Sequence, residues 1–205
     1  MINKNQLALE SVAELGCGSG RILHELSQDY PSVKNFHGYD ISSHAITIAQ
    51  QYVLPGRISF FQKDFSVNSL NHHYSLLLLI DVFEHIEDYL GFLRKLNRSA
   101  DHYIFHIPLD MHVQGVVRDL QISRRDRYGH LHYFSKATAL RTVEDTGYRV
   151  LDYFYTPGKL EIMSSRAHLG DYMMNIPRRL LFLMCPDLTV KLFGGYSLLV
   201  LAESC

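Results

Sequence analysis

Cysteine is scarce in this chain. Cys17, Cys185 and Cys205 are three residues scattered over 205, too few and too dispersed for a disulfide framework, and they fit a reducing, cytoplasmic setting. Positive charge is not in surplus either. Twenty Lys and Arg stand against 21 Asp and Glu, for a net charge of −1. That balance gives no global basic field and argues against a nucleic-acid partner. Long apolar runs are missing too. The longest, Leu76–Ile80 and Leu180–Cys185, fall far short of the roughly 20 residues a bilayer span needs, so no transmembrane segment is expected. Residues 1–10 lack the positive-then-apolar layout of a signal peptide. Repeats and low-complexity stretches are absent. What is present is a 47% apolar fraction, enough to bury the core of one α/β domain over residues 1–205.

Short apolar runs alternate with helical patterns. Val12–Leu15 reads as a first strand, and Gly20–Tyr30 as a helix with Ile22, Leu23 and Leu26 on its inner face. Phe36–Tyr39 is a second strand ending at Asp40. A helix capped by Ser42 or Ser43 runs to about Tyr52, with Ala45, Ile46, Ile48 and Ala49 facing inward. Ile58–Gln62 is a third strand, with Asp64 just beyond it. The leucine-rich run Ser75–Ile80 reads as a central strand covered on both faces, as in parallel sheets. His85–Leu96 is the next helix, where Glu84 and Asp88 read as a solvated N-terminus. Tyr103–Ile107 is a fifth strand. Residues 109–134 are polar and irregular, and read as a substrate-loop region. Ser135 caps a helix through Asp145. Val150–Tyr155 and Tyr196–Ala202 complete seven strands around a helical insertion at 157–193. The tract Ile176–Phe193 reads as cover for the sheet edge, with a membrane surface or a second subunit as the less ordinary alternatives. Strands alternating with helices imply a doubly wound α/β sheet, whose ligands sit beyond the carboxyl ends of its strands.

At those ends the chain places Gly16–Gly20, Asp40, Asp64 and Asp81. The glycine spacing selects among ligands. A dinucleotide loop needs a third glycine at position 21, where Arg21 stands; a Walker loop needs a Gly-Lys-Ser/Thr ending, and none occurs. Pyrophosphate is therefore not the natural guest, which argues against a nicotinamide-dependent oxidoreductase.

Glu14 followed by Gly16, Gly18 and Gly20 resembles the first motif of class I S-adenosylmethionine-dependent methyltransferases. Asp40 in "HGYDIS" and Asp64 in "FQKDF" resemble that family's ribose-binding and adenine-binding acids. "LLLLIDVFEHIED" and "GHLHYFSKATALRTVEDTGY" resemble segments of its small-molecule subgroup, of the type 11 and domain 23 kind. The resemblance implies a Rossmann-like sheet of order 3-2-1-4-5-7-6 with the last strand antiparallel. It implies S-adenosyl-L-methionine as cofactor, S-adenosyl-L-homocysteine as product, and a small-molecule acceptor methylated at O, N or C. Physical chemistry fits these roles. Gly16 and Gly18 lack a Cβ and let backbone amides, that of Cys17 included, approach a ligand. The helix start at Gly20 suits a carboxylate. Asp40 can accept from a ribose diol and Asp64 from an adenine amino group, with Ile41 and Phe65 sandwiching the ring. Asp81 adds negative charge near the sulfonium and ammonium groups, Glu14 orients the loop or the methionine amino group, and His85 covers the sulfur end or packs at the helix start.

Alignment alone can supply much of the catalysis of methyl transfer. Where a general base is needed, His130 and His132 in "GHLHYF" come first, then His106 at the end of the fifth strand; structural hydrogen bonding is the alternative for each. His130-x-His132, with His112, does not complete a recognisable zinc spacing, so no metal is expected. Arg118, Arg124, Arg125 and Arg127 read first as a solvated loop face and second as recognition of an anionic acceptor. A binding protein that keeps the fold and cofactor but has lost turnover is the functional alternative. Members of the family usually carry helices before the first strand. Only 11 residues precede Val12, so the expectation is either a truncated chain or a missing lid, and a homo-oligomer is one way to replace the cover.

Overall fold

The computed structural model describes residues 1–65, 70, 72–157 and 180–205. Seven strands form one sheet: β1 (Ser11–Leu15), β2 (Asn35–Asp40), β3 (Ile58–Gln62), β4 (Tyr74–Ile80), β5 (Ala100–Pro108), β6 (Tyr148–Pro157) and β7 (Tyr196–Ser204). Their order is β3-β2-β1-β4-β5-β7-β6. The first five are parallel, and β7 runs antiparallel to both β5 and β6. This is the order and hand the sequence resemblance implies.

The leucine run explains the layering. Alternate side chains of a strand point to opposite faces. Leu76 and Leu78 of β4 join Val12, Phe36 and Ile58 in one core, while Leu77 and Leu79 join Leu15, Tyr103 and Phe105 in another. The first core is closed by α1 (Arg21–Asp29) and α2 (Ser43–Ala49) through Leu23 and Ala49, together with Ile2 from the N-terminal turns. The second is closed by α3 (Tyr89–Leu96) and α6 (Lys136–Asp145) through Leu93, Leu96, Ala139 and Val143, and by α7 (Pro186–Phe193) through Val190. Ile22 and Ile48 do not face inward as their spacing suggests. Both are exposed, because these short helices bury only a narrow stripe.

Capping follows the sequence closely. Ser42 accepts from the Ala45 amide at the start of α2. Ser135 and Thr138 form a reciprocal capping box on α6. Asp88 accepts from Gly91 and starts α3. Here the boundary moves: Phe83–His85 is a separate 3-10 turn, so Glu84 is not a solvated helix end but a fully buried residue. Residues 109–134 also differ from an irregular loop. They contain α4 (Val113–Val117), capped by the His112 imidazole accepting from Gly115, and α5 (Leu120–Tyr128), which ends on the left-handed Gly129. Much of the 157–193 tract, Pro177 included, lies outside the described residues. Of the rest, Pro157 ends β6, residues 180–184 are helical, and Pro186 opens α7.

Candidate functional site

The loop after β1 bends back on β2. The amides of Gly16 and Cys17 both donate to the Tyr39 carbonyl, at 2.8 and 3.0 Å. Gly16, Gly18 and Gly20 all have positive φ, a conformation that strains any residue with a Cβ. They differ in what surrounds them. A Cβ on Gly20 would meet the Phe60 ring at 2.5 Å, and one on Gly16 would meet Val82 at 2.8 Å. A Cβ on Gly18 would meet nothing within 4 Å. Gly20 is thus a packing glycine, Gly16 seats the loop against Val82 just beyond β4, and Gly18 leaves its backbone open to a ligand.

Asp40 ties this loop to the end of β2. One carboxylate oxygen accepts from the Gly18 amide at 2.9 Å and the other from the Ser42 amide at 2.8 Å. A carboxylate offers about four acceptor directions, so two remain for further donors. Glu14 lies beneath the loop, almost fully buried, and its Oε2 has no partner among the described residues. Burial, with the charge of Asp40 adding to it, pushes its carboxyl up to about 8. Burial likewise pushes the neighbouring Cys17 thiol up to about 12, with Glu14 and Asp40 adding. That thiol stays protonated and is not a nucleophile.

A cavity of about 890 Å³ opens at the carboxyl ends of β1, β2 and β4. Gly16, Asp40, Ile41, Asp64, Phe65, Asp81 and His85 all line it. Glu14, Cys17, Gly18 and Gly20 do not; they form the bed behind it. Ile41 is 65% exposed and Phe65 only 6%, packed edge-on against Tyr39, so one wall of the pair is open and the other rigid. Lys63, Lys95, Tyr39 and Phe92 are also among the lining residues. These were not legible from motifs, since nothing in their spacing marks them. The volume falls in the usual range for small-molecule sites. With its open glycine backbone, strand-end acids and orphaned buried carboxyl, the site fits a cationic, ribose-containing cofactor.

The three candidate bases lie outside that lining and differ in their commitments. His132 Nε2 bonds the Ile86 carbonyl at 2.9 Å and its ring packs on Tyr89 at 4.4 Å. His130 Nδ1 bonds Asp110 at 2.7 Å, and Asp110 is also paired with Arg124. Arg124 therefore meets its anion inside the chain, whereas Arg118, Arg125 and Arg127 remain exposed. His106 bridges two strands: Nδ1 lies 2.7 Å from Asp81 Oδ1, and Nε2 lies 2.8 Å from the Thr156 hydroxyl. Asp81 itself sits at φ +52°, its amide donating to the His106 carbonyl.

Spacing did not reveal a second cluster. The buried Glu84, with His85 and His130, brings three ligand-type atoms within 4.8 Å of one another. Burial pushes the Glu84 carboxyl up to about 8, with Asp81 adding. The adjacent Glu84-His85 pair was the one available signal, and a helix pattern assigned its Glu84 to solvent.

Comparison with known proteins points the same way. Residues 3–153 match the model of a methyltransferase-domain family. Comparison with curated protein sequences finds no significant match. Solved structures share the fold. Magnesium protoporphyrin IX methyltransferase from Synechocystis PCC 6803, with bound S-adenosylhomocysteine, superposes with TM-score 0.62 at 18% identity, over 100% of this chain and 78% of that one. An S-adenosylmethionine-dependent methyltransferase from Mesorhizobium loti gives 0.63 at 15% identity, over 97% and 94%. Coclaurine N-methyltransferase bound to N-methylheliamine and S-adenosylhomocysteine gives 0.65 at 16%, over 99% and 70%. The family match across most of the chain, with this strand order around this cavity, makes the protein a member of the methyltransferase-domain family, a class I methyltransferase whose cofactor is S-adenosylmethionine.

Proposed function

We propose that the protein transfers a methyl group to a small-molecule acceptor carrying a hydroxyl or amine, with His106 as general base. The observation that carries this reading is the Asp81–His106 pair at the ends of β4 and β5: Asp81 lines the cofactor cavity, and His106 stands directly behind it. Small-molecule action is supported by the absence of a basic surplus and by fold neighbours whose names specify magnesium protoporphyrin IX and coclaurine.

When bound, S-adenosylmethionine supplies a methyl group on a sulfonium, already a good leaving group. Asp81 accepts from His106 Nδ1–H, which fixes the tautomer and leaves the lone pair on Nε2. Thr156 donates to that lone pair, and an acceptor hydroxyl would take its place. His106 Nε2 would accept the proton that the acceptor hydroxyl or amine gives up on methylation. Asp40, Asp64 and the glycine bed hold the nucleoside, Asp81 sets negative charge near the cationic end, and Glu14 supports the loop from beneath. Cytoplasmic location is part of this proposal; among the described residues no helix is long and apolar enough to cross a membrane.

The test is release of S-adenosylhomocysteine over a panel of hydroxyl and amine acceptors. His106→Gln should lower kcat by about 100-fold or more, the ordinary contribution of a general base, with S-adenosylhomocysteine affinity unchanged. Full turnover in that variant removes the base assignment. A wild-type protein that binds the cofactor but turns over no acceptor favours a binding role instead.

A further inference from the structure

A second set of groups sits beside the cofactor cavity with no part in that mechanism. Glu84 is fully buried on the 3-10 turn after β4, and neither of its carboxylate oxygens has a hydrogen-bond partner among the described residues. Leaving such a group buried and unsatisfied is costly. The nearest candidate, His85 Nε2, is 3.8 Å from Glu84 Oε1, too far for a hydrogen bond. Both neighbouring imidazoles are held from behind. His85 Nδ1 bonds the Gly129 carbonyl at 3.1 Å, and His130 Nδ1 bonds Asp110 at 2.7 Å. A proton on each Nδ1 puts the lone pair on Nε2. A carbonyl or carboxylate behind an imidazole is how metal-ligating histidines are usually oriented. The two rings stand 5.0 Å apart and nearly perpendicular, so their edges converge without stacking.

We propose that Glu84, His85 and His130 form a binding site for one divalent cation of the zinc class. The carboxylate-plus-two-imidazole set is a borderline-soft donor set, suited to zinc or cobalt rather than to magnesium or calcium. Ligands about 2.0–2.1 Å from a tetrahedral ion stand roughly 3.3 Å apart. The present separations, none above 4.8 Å, close to that with small side-chain movements. The cation also answers the orphaned carboxyl group, because it would ligate oxygens that no hydrogen bond among the described residues reaches. Entry is from the side of His85, whose side chain is 37% exposed. Asp110 is pinned in turn by Arg124, so the group behind His130 is itself fixed. Three protein ligands leave a fourth position open, as in catalytic rather than structural sites. His85 is also a wall of the cofactor cavity, so that position is placed to take an acceptor oxygen. This role rests on the methyl-transfer reading, whereas the binding of the cation does not.

The experiment strips the full-length protein with EDTA and titrates it with zinc chloride by calorimetry. Binding of S-adenosylhomocysteine to the same metal-free samples is measured separately. One equivalent of zinc should bind. His85→Ala and His130→Ala should each weaken it at least tenfold, the scale on which even outer-sphere losses act. His73→Ala, whose ring pairs with Asp101 elsewhere, should leave it unchanged, and His130→Ala should still bind S-adenosylhomocysteine. Should His130→Ala fail to fold, the visible absorption of the cobalt(II) wild-type protein decides. Intense bands of a four-coordinate ion support the site, and the spectrum of hydrated cobalt overturns it. Absence of stoichiometric zinc, or wild-type affinity in both histidine variants, also overturns it. Failure of S-adenosylhomocysteine binding alone would strike the cofactor site and leave this one standing.

Discussion

Asp40 does two things with one carboxylate. It holds the Gly18 and Ser42 amides, and it faces the cavity with acceptor capacity to spare. Hydrogen bonds to a charged acceptor contribute about 1.5–3 kcal/mol each. Asp40→Ala should therefore weaken S-adenosylhomocysteine binding by at least about tenfold, which is about 1.4 kcal/mol. Calorimetry on wild type and variant checks this, and equal affinities would remove the ribose assignment. Glu14 makes a different prediction. Its carboxyl rises from 4.5 to about 8 on folding, so between those values the native protein holds a proton that the unfolded chain has lost. Stability must then fall as pH rises through that window, by about 1.4 kcal/mol per pH unit for this one group, and level off above it. Glu14→Gln should remove that share of the slope and leave the share of Glu84, whose carboxyl burial raises over the same window. Urea midpoints of the cofactor-free protein at several pH values between 5 and 8 test it; an unchanged slope in the variant refutes the burial argument. Residues of this kind were legible to different degrees. Asp40, Asp64 and Asp81 could be read because a strand end is a positional signal. The burial of Glu84 could not, because a one-turn 3-10 segment inserted before α3 turns its side chain from solvent to core.

Among elements, the glycine loop separates packing from binding. Gly20 and Gly18 share a left-handed φ, of +77° and +52°, yet only Gly20 is enclosed, by Phe60 and Ala49. Gly20→Ala should lower unfolding stability by about 1–3 kcal/mol through overpacking, in addition to the backbone strain. Gly18→Ala should show the strain alone, about 1–2 kcal/mol. Chemical denaturation of the two variants distinguishes them, and equal losses would mean that the Phe60 contact yields without cost. The triplet was visible in the chain; which glycine packs and which binds was not, because Phe60 comes from β3, 40 residues away. The 109–134 segment shows the complementary limit. Its polar composition hides α4 and α5; α5 is tied across the segment, where the Gln121 side chain donates to the Asp110 carbonyl and the Tyr133 hydroxyl to the Gln121 and His130 carbonyls. Weak intrinsic periodicity is overridden there by packing, as expected for helices this short.

For the molecule as a whole, strand order was readable because alternation of strands and helices leaves few chain paths through a parallel sheet, and the family resemblance selected one. The position of the cavity followed from the same rule, since ligands of such sheets collect at the carboxyl ends. At this scale β4 is covered on both faces, which has a direct test. Leu77 and Leu78 are neighbours in sequence, yet they enter different cores and are 0% and 2% exposed. Truncating a buried leucine costs about 2–5 kcal/mol through lost transfer energy and the cavity left behind. Leu77→Ala and Leu78→Ala should each lie in that range. A sheet with one solvated face would instead show one large loss and one within about 0.5 kcal/mol of zero, as surface substitutions do. Because the two side chains point to opposite faces and share no packing partners, the double variant should lose close to the sum of the single losses. Urea unfolding of the three variants measures it. A loss confined to one leucine would mean that one of the two helical layers does not close over the sheet, and with it the seating of the glycine loop between α1 and β4 would have to be redrawn.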